Sequence, residues 1–228
     1  MGNLKEILEG SSSIGRLDEW YLRNHKRKRR YLGLSQLGHK CEKFVWLKSH
    51  GYKEASPSAK LLRIFLLGNL LEKQIRDDLI KSGFFLNEAQ KEVIFGYGDL
   101  TLSGHIDGII TDLTESGKPH LWEFKTMNDK SFKKVLKDGY EAYNSSYKAQ
   151  IHAYMLGLPL IDTLVMVYNK NTSELYQERI KLNKKYIIDL LQDRFWVIKM
   201  ENSPIGTCKN NKGRDALLCP YLDVCWPR

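Results

Sequence analysis

The 228-residue chain has no uninterrupted apolar run approaching the roughly 20 residues needed to span a bilayer, so no membrane helix is expected. Its opening residues lack the charged, then apolar, then small-residue order of an export signal, which makes a cytoplasmic location the expectation. Internal repeats and low-complexity segments are absent too. Cysteine is scarce, at four residues, and without an export signal disulfides are not expected. Acidic residues are in the minority: 36 Lys and Arg face 27 Asp and Glu, and the net charge of +9 favours a polyanionic partner, nucleic acid above all. What is present suffices for one sizeable core, since 42% of residues are hydrophobic and 11% aromatic.

Patterning divides the chain into an N-terminal helical segment at 1–56, a core at 57–202 and a cysteine-bearing tail at 203–228. Residues 1 to about 32 form a polar leader whose densest part is His25-Lys26-Arg27-Lys28-Arg29-Arg30, preceded by Trp20 and Tyr21. This block reads either as a phosphate contact or as a solvated basic arm. Helical spacing of Leu37, Cys41, Phe44, Val45 and Leu47 predicts a helix from Leu32 to about Gly51, capped by Ser35, with Cys41 inside it. A second helix is expected from Ser56 to Gly83, with Pro57 in its first turn and Leu62, Phe65, Leu66, Leu70, Ile75 and Leu79 as its buried stripe. Strands follow at Lys91 to Phe95, Leu100 to Thr111 and His120 to Thr126, the first two joined by the turn Gly96-Tyr97-Gly98-Asp99. Helices at Lys130 to Lys137 and Tyr143 to Leu156, strands at Thr163 to Tyr168 and Leu175 to Ile180, and a helix at Lys184 to Met200 complete the order. The fold class is therefore α/β or α+β, with a mixed central sheet flanked by helices.

The strongest chemical signal is Gly104-His105-Ile106-Asp107 followed by Leu121-Trp122-Glu123-Phe124-Lys125. Alternation along a strand puts Glu123 and Lys125 on one face and Trp122 and Phe124 on the other. With Asp107 on a neighbouring strand, two carboxylates can hold a hard divalent cation at about 2.1 Å, beside a lysine that neutralises phosphate charge or handles a proton. Glu123-Phe124-Lys125 is also the one place in the chain where Asp or Glu is followed two positions later by Lys. The alternative is a solvated surface triplet.

Glu72, within the apolar Ser56 to Gly83 helix, is the best third ligand, because a carboxylate there needs a partner unless helical phase leaves it wet. A site of Glu72, Asp107, Glu123 and the carbonyl oxygen of Phe124 would polarise a phosphate and activate water. Gln150 and Tyr154 stand four residues apart and share a helix face, either to wall such a site or as part of an ordinary half-buried helix. Cys41 stands alone near the amino terminus, while Cys208, Cys219 and Cys225 fall in the last 21 residues. Together they suit a [4Fe-4S] cluster or a tetrahedral Zn²⁺ site, or else they are unrelated thiols.

Gly68-x-x-x-Glu72, Gly104-x-x-Asp107, Glu123-x-Lys125 and Gln150-x-x-x-Tyr154, in this order, resemble the motifs of RecB-type nucleases of the PD-(D/E)XK superfamily. That resemblance implies a restriction-endonuclease-like fold, Mg²⁺ or Mn²⁺ as cofactor, and Gln150 and Tyr154 in the active-site wall. Glu72 stands where many members carry His. Cys41 together with Cys219-Pro220-Tyr221-Leu222-Asp223-Val224-Cys225 resembles the iron-sulfur branch of that group, which includes the CRISPR-associated Cas-four-type exonucleases. Here the ten-residue spacer between Cys208 and Cys219 is longer than is usual in that branch. The resemblance implies a DNA exonuclease acting on single-stranded ends, with a structural [4Fe-4S] cluster. A structure-specific endonuclease is one alternative; a DNA-binding module serving a recombination or CRISPR-adaptation-like protein partner is the other.

Overall fold

The computed structural model describes residues 12–25, 31–111 and 117–227. The basic block at Lys26 to Arg30 lies outside the described residues. Helix α1 (Ser13–Asn24) starts where the Ser12 hydroxyl accepts from the Gly15 N–H at 3.0 Å. After a short 3-10 turn at Leu34–Gln36 comes α2 (Glu42–Ser49). Cys41 is its N-cap, not an interior helical residue, and Ser35 lies in the 3-10 turn. The expected single helix from Leu32 is broken because the loop at Leu37 to His39 is drawn away by Arg194, whose Nε donates to the Leu37 carbonyl at 2.9 Å.

Helix α3 (Ala59–Lys81) is capped by Ser58, which accepts from the Leu61 N–H at 3.2 Å, so Pro57 precedes the cap instead of lying in the first turn. Its packed side differs from the expected stripe. Leu62, Leu71, Ile75 and Leu79 turn inward, whereas Phe65, Leu66 and Leu70 are exposed. Apolar residues recur almost without interruption from Leu61 to Leu71, and so dense a run does not mark one face.

Strands β1 (Phe85–Asn87), β4 (Gly108–Thr111), β5 (Pro119–Met127), β6 (Asp162–Asn169) and β7 (Leu175–Lys181) form a five-stranded sheet in the order β1-β4-β5-β6-β7. Pairing is antiparallel except between β5 and β6, which run parallel with Glu123 opposite Val165 and Lys125 opposite Val167. That parallel pair requires a crossover, supplied by α4 (Asp129–Asp138), α5 (Tyr140–Tyr143) and α6 (Ser145–Gly157). The final long helix is α7 (Lys184–Lys199), followed by the short α8 (Arg214–Leu217) and α9 (Leu222–Cys225).

The strand expected from Leu100 to Thr111 is two strands. β2 (Glu92–Tyr97) and β3 (Leu100–His105) make a separate hairpin, and the chain crosses to the main sheet at Ile106-Asp107 before β4 begins. Ile106 closes the hairpin by exchanging main-chain hydrogen bonds with Gln90 and Lys91. Gly108 then passes so close to β1 that a Cβ would stand 3.0 Å from Leu86 Cδ2. Helix α3 covers one face of the main sheet, against Ile110, Trp122, Phe124 and Met166. The opposite face packs Leu121, Val165 and Val167 against α6 and α7. Both faces of β5 are thus buried, and each fully buried apolar side chain of this size contributes about 1.5–3 kcal/mol.

Candidate active site

Four elements meet at the C-terminal half of β5. Glu72 comes from α3, Asp107 from the crossing between β3 and β4, Glu123 and Lys125 from β5 itself, and Tyr154 from α6. Asp107 is fixed by the strand geometry: its Oδ2 accepts the Phe124 N–H at 2.9 Å, just beyond the point where the β4 ladder begins at Gly108 opposite Trp122. Glu123 is fully buried, and its Oε1 accepts from Lys125 Nζ while its Oε2 meets no hydrogen-bond partner among the described residues. Lys125 in turn lies 5.6 Å from the Tyr147 ring centroid.

The electrostatics are those of crowded carboxylates. Burial first, and then the charges of Asp107 and Glu72, push the Glu123 carboxyl up to about 7, against the opposing pull of Lys125. Burial and Asp107 likewise push Glu72 up to about 7, with Lys125 and Arg76 opposing. Burial works against the Lys125 ammonium, yet Glu123 and Asp107 outweigh it and hold its pKa well above the usual lysine range. Glu72, Asp107 and Glu123 offer the oxygen donors that a hard cation takes, and a divalent ion bound here would favour the charged carboxylates and draw Glu72 and Glu123 back down against the burial that raises them.

Glu72 and Lys125 open onto a groove of about 450 Å³, lined also by Phe65, Asn69, Phe124 and Lys170. Gln150 and Tyr154, expected as site residues, are buried at 6% and 2% exposure, and Gln150 Nε2 donates to Tyr154 Oη at 3.4 Å. Residues 149–155 are buried on every side, so α6 is a core helix and not a half-buried amphipathic one. Tyr154 is kept as a neutral phenol by burial and by the nearby Glu123 charge. Gly104 is required opposite it: a Cβ there would fall 2.7 Å from Tyr154 Oη.

Two residues beyond the sequence motifs join the site. Tyr147 lines the groove, and Tyr140, at 0% exposure, stacks on Tyr147 with ring centroids 5.5 Å apart. No spacing in the sequence marks Tyr140; only its buried surroundings do.

Cys41 comes together with three cysteines that lie more than 160 residues further along the chain. Cys41, Cys208, Cys219 and Cys225 all line one cavity of about 880 Å³, with His39, Lys43 and Lys148 among its other walls. All four are free thiols. Burial and the neighbouring Cys41 and Cys208 sulfurs contribute to raising the Cys219 and Cys225 thiols. Around them the loop is stiff: the Cys41 N–H donates to His39 Nδ1 at 3.1 Å, His39 stacks on Phe44 at 3.8 Å, and Phe44 meets the edge of the Tyr221 ring. Among the described residues, no group of three or more His, Cys, Asp or Glu side chains is arranged as a ready-made metal site, here or at the carboxylates. Among the same residues, no helix is long and apolar enough to cross a membrane.

No protein-family model and no curated protein matches the sequence. Solved structures do. A protein designated SSO0001 superposes with a TM-score of 0.52 at 17% identity, covering 98% of this chain and 96% of its own. An alkaline exonuclease from Laribacter hongkongensis gives a TM-score of 0.52 at 14% identity, over 79% of this chain and 90% of that one. The same exonuclease in complex with dAMP gives 0.54 at 15% identity, over 80% and 90%. The fold is restriction-endonuclease-like. In this restriction-endonuclease-like chain the mixed sheet, the crossover and α3 together put Glu72 and Lys125 in the wall of a groove beside β5, with Asp107 and Glu123 buried behind them.

Proposed function

We propose that this protein is a Mg²⁺- or Mn²⁺-dependent DNA exonuclease of the PD-(D/E)XK type, hydrolysing phosphodiester bonds at single-stranded ends. The observation that carries the reading is the convergence of Glu72, Asp107, Glu123 and Lys125 from three separate parts of the chain. Glu72, Asp107, Glu123 and the Phe124 carbonyl oxygen would hold the ion. A bound divalent ion supplies Lewis acidity toward the scissile phosphate and eases loss of a proton from water. Lys125 is paired and remains an ammonium at neutral pH, so it would neutralise charge growing on the phosphate and would not act as a base. Gln150 and Tyr154 would close the buried side of the site, and Lys170 would add phosphate affinity at the groove. The likeness to an exonuclease solved with dAMP supports DNA as the substrate class.

The four cysteines would hold a [4Fe-4S] cluster, with Zn²⁺ as the alternative, joining the N-terminal segment to the C-terminal tail. Four free thiols around one cavity support this reading, including Cys208 despite its long spacer. Its role would be structural, because it closes a very long chain loop.

Incubating end-labelled linear and circular DNA, single- and double-stranded, with Mg²⁺, Mn²⁺ or EDTA tests the nuclease reading, with Lys125→Ala beside the wild type. Metal-dependent loss of linear single strands that disappears in the variant is the expected result. Cleavage of circles would make the protein an endonuclease. Binding without cleavage, unchanged in the variant, would leave a DNA-binding module.

A further inference from the structure

Two buried polar atoms, on residues linked through Tyr147 and Lys125, have no hydrogen-bond partner among the described residues, and their chemistry is complementary. Glu123 Oε2 is an acceptor, and Tyr140 Oη carries a donor hydrogen. Both residues are at 0% exposure. An unpaired polar group at such depth is costly, so native proteins pair it with a neighbour or an ordered water. Tyr140 cannot drift away to relieve the cost. Its N–H donates to Glu178 Oε2 at 2.9 Å, that carboxylate also accepts from Tyr176 Oη at 2.9 Å, and Gly139 with φ of +81° sets the turn into α5. On its other side the Tyr140 ring stacks on Tyr147 at an interplanar angle of 17°, and Tyr147 carries the Lys125 ammonium over its ring. The phenol and the Glu123 and Lys125 pair therefore belong to one packed cluster. Burial and the Glu123 charge keep the hydroxyl protonated, and so available as a donor.

We propose that Tyr140 is a positioning residue of the active site, its hydroxyl hydrogen-bonding through one ordered water to Glu123 Oε2 and so fixing the rotamer in which Glu123 ligates the metal. It acts through Glu123 and touches neither substrate nor ion. The inference rests on the reading of Glu123 as a ligand. It explains why a tyrosine with no motif around it is buried whole beside the carboxylates. A phenylalanine would fill the same space without leaving a hydroxyl to satisfy.

Mn²⁺ binding to the full-length protein, measured by titration calorimetry for the wild type, Tyr140→Phe and Glu123→Gln, separates the two ideas, with steady-state cleavage and thermal unfolding recorded alongside. Loss of a group that orients a ligand typically weakens metal binding by about 10–100-fold. Tyr140→Phe is expected to weaken Mn²⁺ binding in that range and to lower kcat with little change in KM for DNA. Its unfolding midpoint without metal is expected to stay level or rise, because a buried hydroxyl has been removed. If Glu123→Gln binds Mn²⁺ as the wild type does, the ligand reading fails. If Glu123→Gln loses Mn²⁺ while Tyr140→Phe keeps wild-type affinity and kcat, the ligand reading stands and the role of Tyr140 is refuted. A variant that only unfolds earlier, with Mn²⁺ affinity unchanged, refutes it equally.

Discussion

Crowding three carboxylates and one lysine into a buried site should cost the metal-free protein stability in a pH window set by the site itself. Glu72 and Glu123 both stand at about 7 in the folded chain, against 4.5 for a free glutamate. The sign follows from proton counting. Between pH 4.5 and about 7 the folded state holds protons that the unfolded state has released, so stability falls as pH rises through that interval and stays low above it. Raising one carboxyl over that interval is worth about 3 kcal/mol at 1.36 kcal/mol per pH unit. Burial is the largest cause for both groups, and only the fully buried Glu123 is counted, because solvent screens the half-buried Glu72. For a domain of this size that corresponds to roughly 6–12 °C in unfolding midpoint. The assay is urea unfolding in EDTA at pH 5, 6, 7 and 8, for the wild type and for the double variant Glu72→Gln with Glu123→Gln. Other titrating groups are common to both proteins, so the difference between them isolates the site. That difference should swing by about 3 kcal/mol in favour of the variant between pH 5 and pH 8. Added Mn²⁺ should stabilise the wild type more at pH 8 than at pH 5, since ligation requires the deprotonated carboxylates. A difference that does not change with pH would refute the account of the site as a strained acidic cluster.

Gly104→Ala should misplace Tyr154, because the new methyl would stand 2.7 Å from its hydroxyl and 3.1 Å from Leu34 Cβ; a shift of that kind costs up to about 100-fold in rate, read as kcat on linear single strands. Glu54→Ala should loosen the tail from α2, since Glu54 Oε1 accepts from buried Lys48 at 2.8 Å and from Tyr221 Oη at 3.1 Å; an unfolding loss of about 1–3 kcal/mol is expected in chemical denaturation. Cys208→Ser tests whether the long spacer still delivers a ligand: iron, sulfide and zinc content should fall together with the midpoint of unfolding, and unchanged metal content would remove Cys208 from the set.

How far the sequence carries is clearest where its signals were local. Glu123 and Lys125 alternate with Trp122 and Phe124 along one strand, and β5 keeps that alternation across two buried faces. The hairpin turn at Gly98 appears where expected, with a φ of +59° that glycine accommodates. Signals failed where an element is decided by what lies across from it. Ile106 and Asp107 continue the strand pattern of β3, yet the chain changes sheets there because β2 ends its pairing and β5 waits on the other side. Cys41 fits a helical apolar spacing, but Arg194, more than 150 residues away, ties the preceding loop to α7 and leaves Cys41 at a helix start. Strand β1 escaped because three residues pairing along the sheet edge carry too short a pattern. The exposed apolar side of α3 was illegible for the opposite reason: nearly every position could have been the buried one.

The crossover between β5 and β6 also explains how one domain can hold both candidate sites. Tyr140 and Tyr147 belong to the carboxylate cluster, while Glu141, Tyr143, Ser145 and Lys148, interleaved with them on α5 and α6, line the cysteine cavity. The two sites therefore share a wall about one helix thick. Its far side is braced: buried His152 pairs through Nε2 with Glu141 at 2.7 Å, and its Nδ1 accepts the Asn183 N–H at 3.1 Å, which leaves the imidazole proton on Nε2. A cluster bound by Cys41, Cys208, Cys219 and Cys225 would brace the other side. Its removal should then act on catalysis through the packing of Tyr140 and Tyr147 as well as through global stability, and the two effects differ in order. Under mild chelation, loss of kcat that precedes loss of helical circular dichroism would locate the coupling in this wall. Simultaneous loss would mean that the thiols do no more than hold the termini together.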